Sequence, residues 1–275
     1  MGGFCYNNAL MQTSWTPFSL FGIPIRINLS VGLLALYLIY SFNSLGTGAF
    51  MAVALVASIL LHELAHSGVA IAFGGRVHDI TLQVLGGCAR IVRMPPKAWQ
   101  ELLMALAGPA CSLALAVLFG VLAYALGTET SLGYNPIAGE YVIYVEPNLW
   151  FTYAAGLNFG LGMFNLIPAF PMDGGRVLRS GLQAAGQSKA QATEVAVLVG
   201  RGFAVLWAAL FALDVLFGIQ LKCPEGAPLF VRLLWSFVFQ SSSVLLVLIA
   251  YMIWVTGRRE LEYVRMESRF RGGWQ

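Results

Sequence analysis

Apolar positions run in long blocks along most of this chain, separated by short clusters of Gly, Pro and charge. Helical blocks of about twenty residues match the hydrocarbon thickness of a bilayer. They predict six membrane spans at about 29–46, 49–73, 100–127, 149–185, 194–221 and 228–256, the fourth of them interrupted. Between the second and third, residues 76–97 lose the helical pattern. Ile80-Thr81-Leu82-Gln83-Val84-Leu85, then Gly86-Gly87, then Cys88-Ala89-Arg90-Ile91-Val92 predict a short β-hairpin around a glycine turn. Residues 18–28 are apolar but too short, and too broken by Gly22 and Pro24, to cross a bilayer. They are expected as an extended segment along the interface. The predicted fold class is an all-α polytopic membrane protein with a short membrane-associated β-hairpin. Its parts are an N-terminal segment 1–28, a membrane domain 29–256 with core motifs in 49–185, and a basic tail 257–275.

Composition agrees with this pattern. The chain is 58% hydrophobic and 11% charged, too few charges to cover a soluble globule of 275 residues. The net charge of +3 matters less than its distribution. Six spans leave both termini on one side, and of the 16 Lys and Arg only Lys222 and Arg232 fall on the other. The positive-inside rule then predicts a multi-pass protein with both termini in the cytoplasm, a prokaryotic cytoplasmic membrane being the expected setting. The lipid bilayer is an expected partner and nucleic acid is not. Cys5, Cys88, Cys111 and Cys223 are scattered without a C-x-x-C pair, and are expected as free thiols.

Two polar clusters interrupt the apolar background. Leu61-His62-Glu63-Leu64-Ala65-His66 lies in the second span. Histidines four apart on a helix sit about 40° apart around the axis and about 6 Å along it, so both reach one metal ion. Glu63 flanks that face, where a carboxylate can act as a base on water beside the metal. The fourth span carries Asn165-Leu166-Ile167-Pro168-Ala169-Phe170-Pro171-Met172-Asp173-Gly174-Gly175-Arg176. Its two prolines interrupt the helix, and irregular backbone at membrane depth is tolerated only against protein or a water-filled cavity. Asp173 beside the break is a candidate third metal ligand. The buried Asn165 amide is a candidate to hold a peptide backbone or a developing oxyanion, or else to cap the broken helix. Ala107-Gly108-Pro109 predicts a kink with close packing, a structural feature. His78 and Asp79 are expected at the hairpin's edge, His78 solvated. Asp214 and Glu194 lack a motif of their own.

These two motifs closely resemble the site-2 protease family of intramembrane zinc metalloproteases, especially the branch that includes the bacterial sporulation-factor processing protease. Phe21-Gly22-Ile23-Pro24-Ile25, the Gly86-Gly87 hairpin and Ala107-Gly108-Pro109 extend the resemblance over roughly residues 18–185. It implies a Zn2+ site of His62, His66 and Asp173, with Glu63 as general base and Asn165 as the substrate or oxyanion asparagine. It further implies a transmembrane protein substrate, such as a transcription-factor precursor or anti-sigma factor, and leaves room for regulatory membrane proteins. The competing reading of the same intramembrane polar residues is a polytopic transporter or ion-coupled protein, which inverted repeats would favour.

Overall fold

A computed structural model of the chain describes residues 14–42, 45–83, 86–93, 97–126, 131–135, 140–144, 149–218 and 244–272. They form two compact units: residues 14–93 and 106–164 belong to the first, and residues 97–105 and 165–272 to the second.

The first unit opens with β1 (Ser14–Leu20) and β2 (Ile23–Asn28), an antiparallel pair. Phe21 and Gly22 between them have φ of 51° and 79°. Two successive left-handed residues are what a tight hairpin turn needs, and glycine takes that conformation without a steric penalty. Asn28 ends β2 and caps the next helix, its side chain accepting from the Ser30 amide at 2.9 Å. Helices α1 (Leu29–Ser41) and α2 (Leu45–Ala72) follow, then β3 (Arg76–Gln83) and β4 (Gly86–Arg93). β3 and β4 form the expected antiparallel hairpin, in which Gly86 and Gly87 themselves pair with Gln83 and Leu82. Residues 18–28 are more than an extended segment, because β2 pairs in parallel with β3 to give the sheet order β1-β2-β3-β4. A parallel pair needs a long crossover, which α1 and α2 supply.

The sheet lies on α2. Ile23, Ile25, Ile80 and Leu82 alternate inward along β2 and β3 and pack with Ile59, Leu55, Val56, Leu60 and Leu64. Strand period two meets helix period 3.6 in one apolar seam, which runs along α2 from Leu55 to Leu64. The unit is completed by most of α3 (Ala98–Leu126), the hairpin β5 (Ser131–Asn135) and β6 (Glu140–Tyr144), and α4 (Leu149–Asn165).

The second unit contains the start of α3, then α5 (Asp173–Ala184), α6 (Lys189–Phe217) and α7 (Val244–Gly272). α6 begins with a capping box between Ser188 and Gln191 and ends at Gly218, whose φ of 64° is the left-handed C-terminal cap. Phe170, Ala196 and Val197 form its buried apolar centre, with Leu178 and Leu261 against them. α7 packs along α6 and continues unbroken across the expected boundary at 257.

Among the described residues three helices are long and apolar enough to cross a membrane: α2, α3 and α6, with mean hydropathy 1.9, 2.2 and 2.0. The expected first span is shorter than anticipated, since α1 has 13 residues and reaches only about 20 Å. The fourth divides at 166–172 as its prolines require. Much of the sixth, including residues 228–243, lies outside the described residues. One cysteine expectation fails: Cys88 is disulfide-bonded, whereas Cys111 is free.

Candidate metal centre

α2 runs without interruption through the H-E-x-x-H stretch, and His62 and His66 are 3% and 7% exposed. Their Nε2 atoms stand 3.1 Å apart, the rings nearly perpendicular at 80°. Two nitrogens each about 2.0–2.1 Å from a tetrahedral zinc would be separated by about 3.3 Å, so the pair is spaced for one ion.

Gly108 of α3 lets the helix backbone come right up to the two rings. A Cβ placed there would lie 2.2 Å from His66 Nε2 and 2.6 Å from His62 Nε2. No side chain fits between α3 and the imidazoles, so glycine is required where the rings converge. That is the structural part expected of Ala107-Gly108-Pro109. Close packing around that motif holds too. α4 approaches it at Gly162, where an added Cβ would meet Leu113 Cγ at 3.0 Å and the Pro109 carbonyl at 3.3 Å.

One turn beyond Gly108, the buried Ser112 Oγ lies 2.9 Å from His62 Nδ1. A metal on Nε2 would leave the proton on Nδ1 to donate to Ser112, a contact that would fix ring and tautomer. Sequence reasoning passed over Ser112. A small polar residue in an apolar helix has many packing roles, and only its spacing of four from Gly108 hinted at a shared face.

Glu63 is half-buried on the sheet side of α2. Its Oε2 accepts from the Ala89 amide of β4 at 3.1 Å. Gly87 makes this approach feasible, since a Cβ there would come within 2.3 Å of Glu63 Cγ. The strand edge and the carboxylate therefore share one place, and a backbone added along β4 would run past Glu63.

Behind that edge, Asp79 is fully buried on β3 and binds Arg26 at 2.9 Å, Arg90 Nε at 2.6 Å and His78 at 3.2 Å. Burial alone would raise its pKa. Hydrogen bonds from Arg90 and His78, with the positive charge of Arg90 and Arg26, outweigh burial and hold the carboxyl below its ordinary value. Asp79 thus knots β2, β3 and β4 together. His78 is exposed, as expected.

In the second unit, Asp173 is the first residue of α5, buried at 8% exposure. The preceding loop folds back on the helix start. An added Cβ at Gly174 would fall 2.3 Å from the Leu166 and Ile167 carbonyls, and one at Gly175 within 2.9 Å of Ala169. The glycine pair is therefore required by close backbone packing, beyond forming a turn. Asn165, the last residue of α4, is half-buried. Glu194 is exposed and paired with Arg265 at 3.0 Å.

A helical membrane fold with a small sheet and a paired-histidine helix defines a class, and comparison with known proteins names it. The model for Peptidase family M50 matches residues 50–209, and the chain belongs to that family. It is 35% identical over 229 residues to a putative zinc metalloprotease of Synechocystis sp., covering 78% of this chain and 55% of the relative. It is 28% identical over 264 residues to a zinc metalloprotease of Methanocaldococcus jannaschii, covering 95% of this chain and 64% of that one. The chain thus spans between half and two thirds of these relatives' lengths. The solved structure of a site-2 protease from Methanocaldococcus jannaschii matches with a TM-score of 0.51 at 28% identity, covering 84% of this chain and 96% of that one. Together with its three long apolar helices, family membership makes this a membrane protein.

Proposed function

We propose that the chain is an intramembrane zinc metalloprotease that hydrolyses a peptide bond within or near the transmembrane segment of a membrane protein. The observation that carries this is the pair of buried imidazoles whose Nε2 atoms converge to 3.1 Å, with Glu63 on the same helix between them. The relatives named as zinc metalloproteases support the choice of metal. His62, His66 and Asp173 would hold it; two nitrogens and a carboxylate leave a position open for chemistry. Zinc, when bound, lowers the pKa of water to about 7 and polarises a carbonyl.

The chain's own groups do the rest. Glu63 takes a proton from the attacking water and later gives it to the leaving amine. The Ala89 amide keeps that carboxylate turned toward the strand edge. A substrate helix must unwind before its carbonyls are accessible, and β4, which pairs only with β3 among the described residues, offers an edge for the unwound segment. Asn165 holds the substrate backbone or the developing oxyanion. With six spans and both termini cytoplasmic, cleavage toward that face releases a cytoplasmic fragment, of the transcription-factor precursor or anti-sigma factor type.

Glu63→Gln tests the reading. Cleavage of a co-expressed transmembrane substrate should fall by at least about 10²–10⁴-fold, while bound zinc is retained. Cleavage at the intact rate would remove Glu63 from the mechanism.

A further inference from the structure

Arg179 is buried at 4% exposure on α5, six residues beyond Asp173. It bridges two carboxylates, Glu260 of α7 at 2.6 Å and Glu101 in the first turn of α3, each 15% exposed. Its guanidinium also covers the Phe170 ring, 5.2 Å from the centroid. Phe170 stands three residues before Asp173, and its carbonyl accepts from Thr256 Oγ1 of α7 at 3.1 Å. Thr256 and Glu260 are four apart, one above the other on a single face of α7. One turn of the last helix therefore grips the chain on both sides of Asp173, at Phe170 before it and at Arg179 after it. α6 closes the remaining side, where a Cβ on Gly200 would come within 3.0 Å of the Ala169 side chain.

Stability alone does not explain a buried arginine between two acids. Removing three such groups from water is costly, and apolar replacements of similar volume are often neutral or stabilising. What a planar guanidinium fork adds is direction, because it fixes two partners at once. We propose that Arg179, clasped by Glu260 and Glu101, is the positioning residue for the Asp173 carboxylate, and that α7 thereby controls the metal site from the far end of the chain. The proposal rests on the assignment of Asp173 as a metal ligand. Loss of the clasp leaves the ligand attached to a looser loop, so metal affinity and ligand geometry change while the helices remain.

The test uses the full chain purified in detergent, with zinc affinity read by chelator competition and ligand geometry by the visible spectrum of the Co(II)-loaded protein. Glu260→Gln is expected to weaken zinc binding about 10–100-fold, as loss of an outer support typically does, and to alter the cobalt spectrum. Arg179→Lys keeps the charge but loses the fork that fixes both acids, so it too should weaken zinc binding and alter the cobalt spectrum. A combined Arg179→Met, Glu101→Gln, Glu260→Gln variant removes the charges together and guards against misfolding from a stranded carboxylate; it should melt near the intact protein yet show the altered spectrum. Intact affinity and spectrum in both Glu260→Gln and the combined variant would overturn the proposal. Asp173→Ala separates the two claims. An intact cobalt spectrum there would refute the ligand assignment, and the clasp would fall with it; a lost spectrum there with intact ones in both Glu260→Gln and the combined variant would refute the clasp alone.

Discussion

The two histidines and the aspartate are held by opposite means. In the first unit the pair lies within one regular helix, so backbone geometry alone brings the imidazoles together, and neighbours contribute mainly by being small. Gly108 leaves space for the two imidazoles and Gly87 leaves space for Glu63. In the second unit the carboxylate follows a proline-broken loop that no helical ladder fixes. Polar contacts from distant segments hold it: Thr256 on the Phe170 carbonyl, and Glu260 and Glu101 on Arg179. A regular element carries its own precision. An irregular one has to receive it from outside, and the residues that supply it lie far away in the sequence.

That contrast can be broken most severely by adding a single methyl group. Gly108→Ala puts a methyl within 2.6 Å of both Nε2 atoms and forces the rings out of place, so zinc content measured by elemental analysis should drop to background with the helices intact by circular dichroism. Unchanged zinc would mean that the ion sits elsewhere. Next in size is the knot that fixes the strand edge. Asp79→Ala strands two arginines and should destabilise the first unit by about 3–5 kcal/mol, read by thermal or denaturant unfolding. The pH dependence has a defined sign. Because the Asp79 carboxyl titrates below its ordinary value of 3.8, its contribution is complete above that value and disappears as pH falls through the lower folded-state value. Acid unfolding in that range should flatten in Asp79→Asn. A smaller effect sharpens the comparison within the histidine half: Ser112→Ala should weaken zinc binding about 10–100-fold, or about 1.4–2.7 kcal/mol, through loss of the His62 Nδ1 partner. No change would reduce Ser112 to a packing residue.

Legibility in the sequence follows the same division. His62, Glu63 and His66 were readable because a helix converts spacing directly into geometry. The β3–β4 hairpin was readable because glycine and strand alternation are local signals. The parallel pairing of β2 with β3 was not, since it joins strands separated by two helices and no nearby residues encode it. Gly108 reads as a packing glycine in any apolar helix; only the imidazoles opposite it give its absent side chain a meaning. Arg179 was grouped with the basic residues of the cytoplasmic side, yet it is among the most buried polar groups. Charge type is visible in a sequence, but the partners that draw a charge inward are not.

The assignment of the metal ligands is tested most directly by elemental analysis of the purified full chain beside Asp173→Ala. The account predicts about one zinc per intact chain and almost none in the variant. A full complement of zinc retained by Asp173→Ala would contradict it.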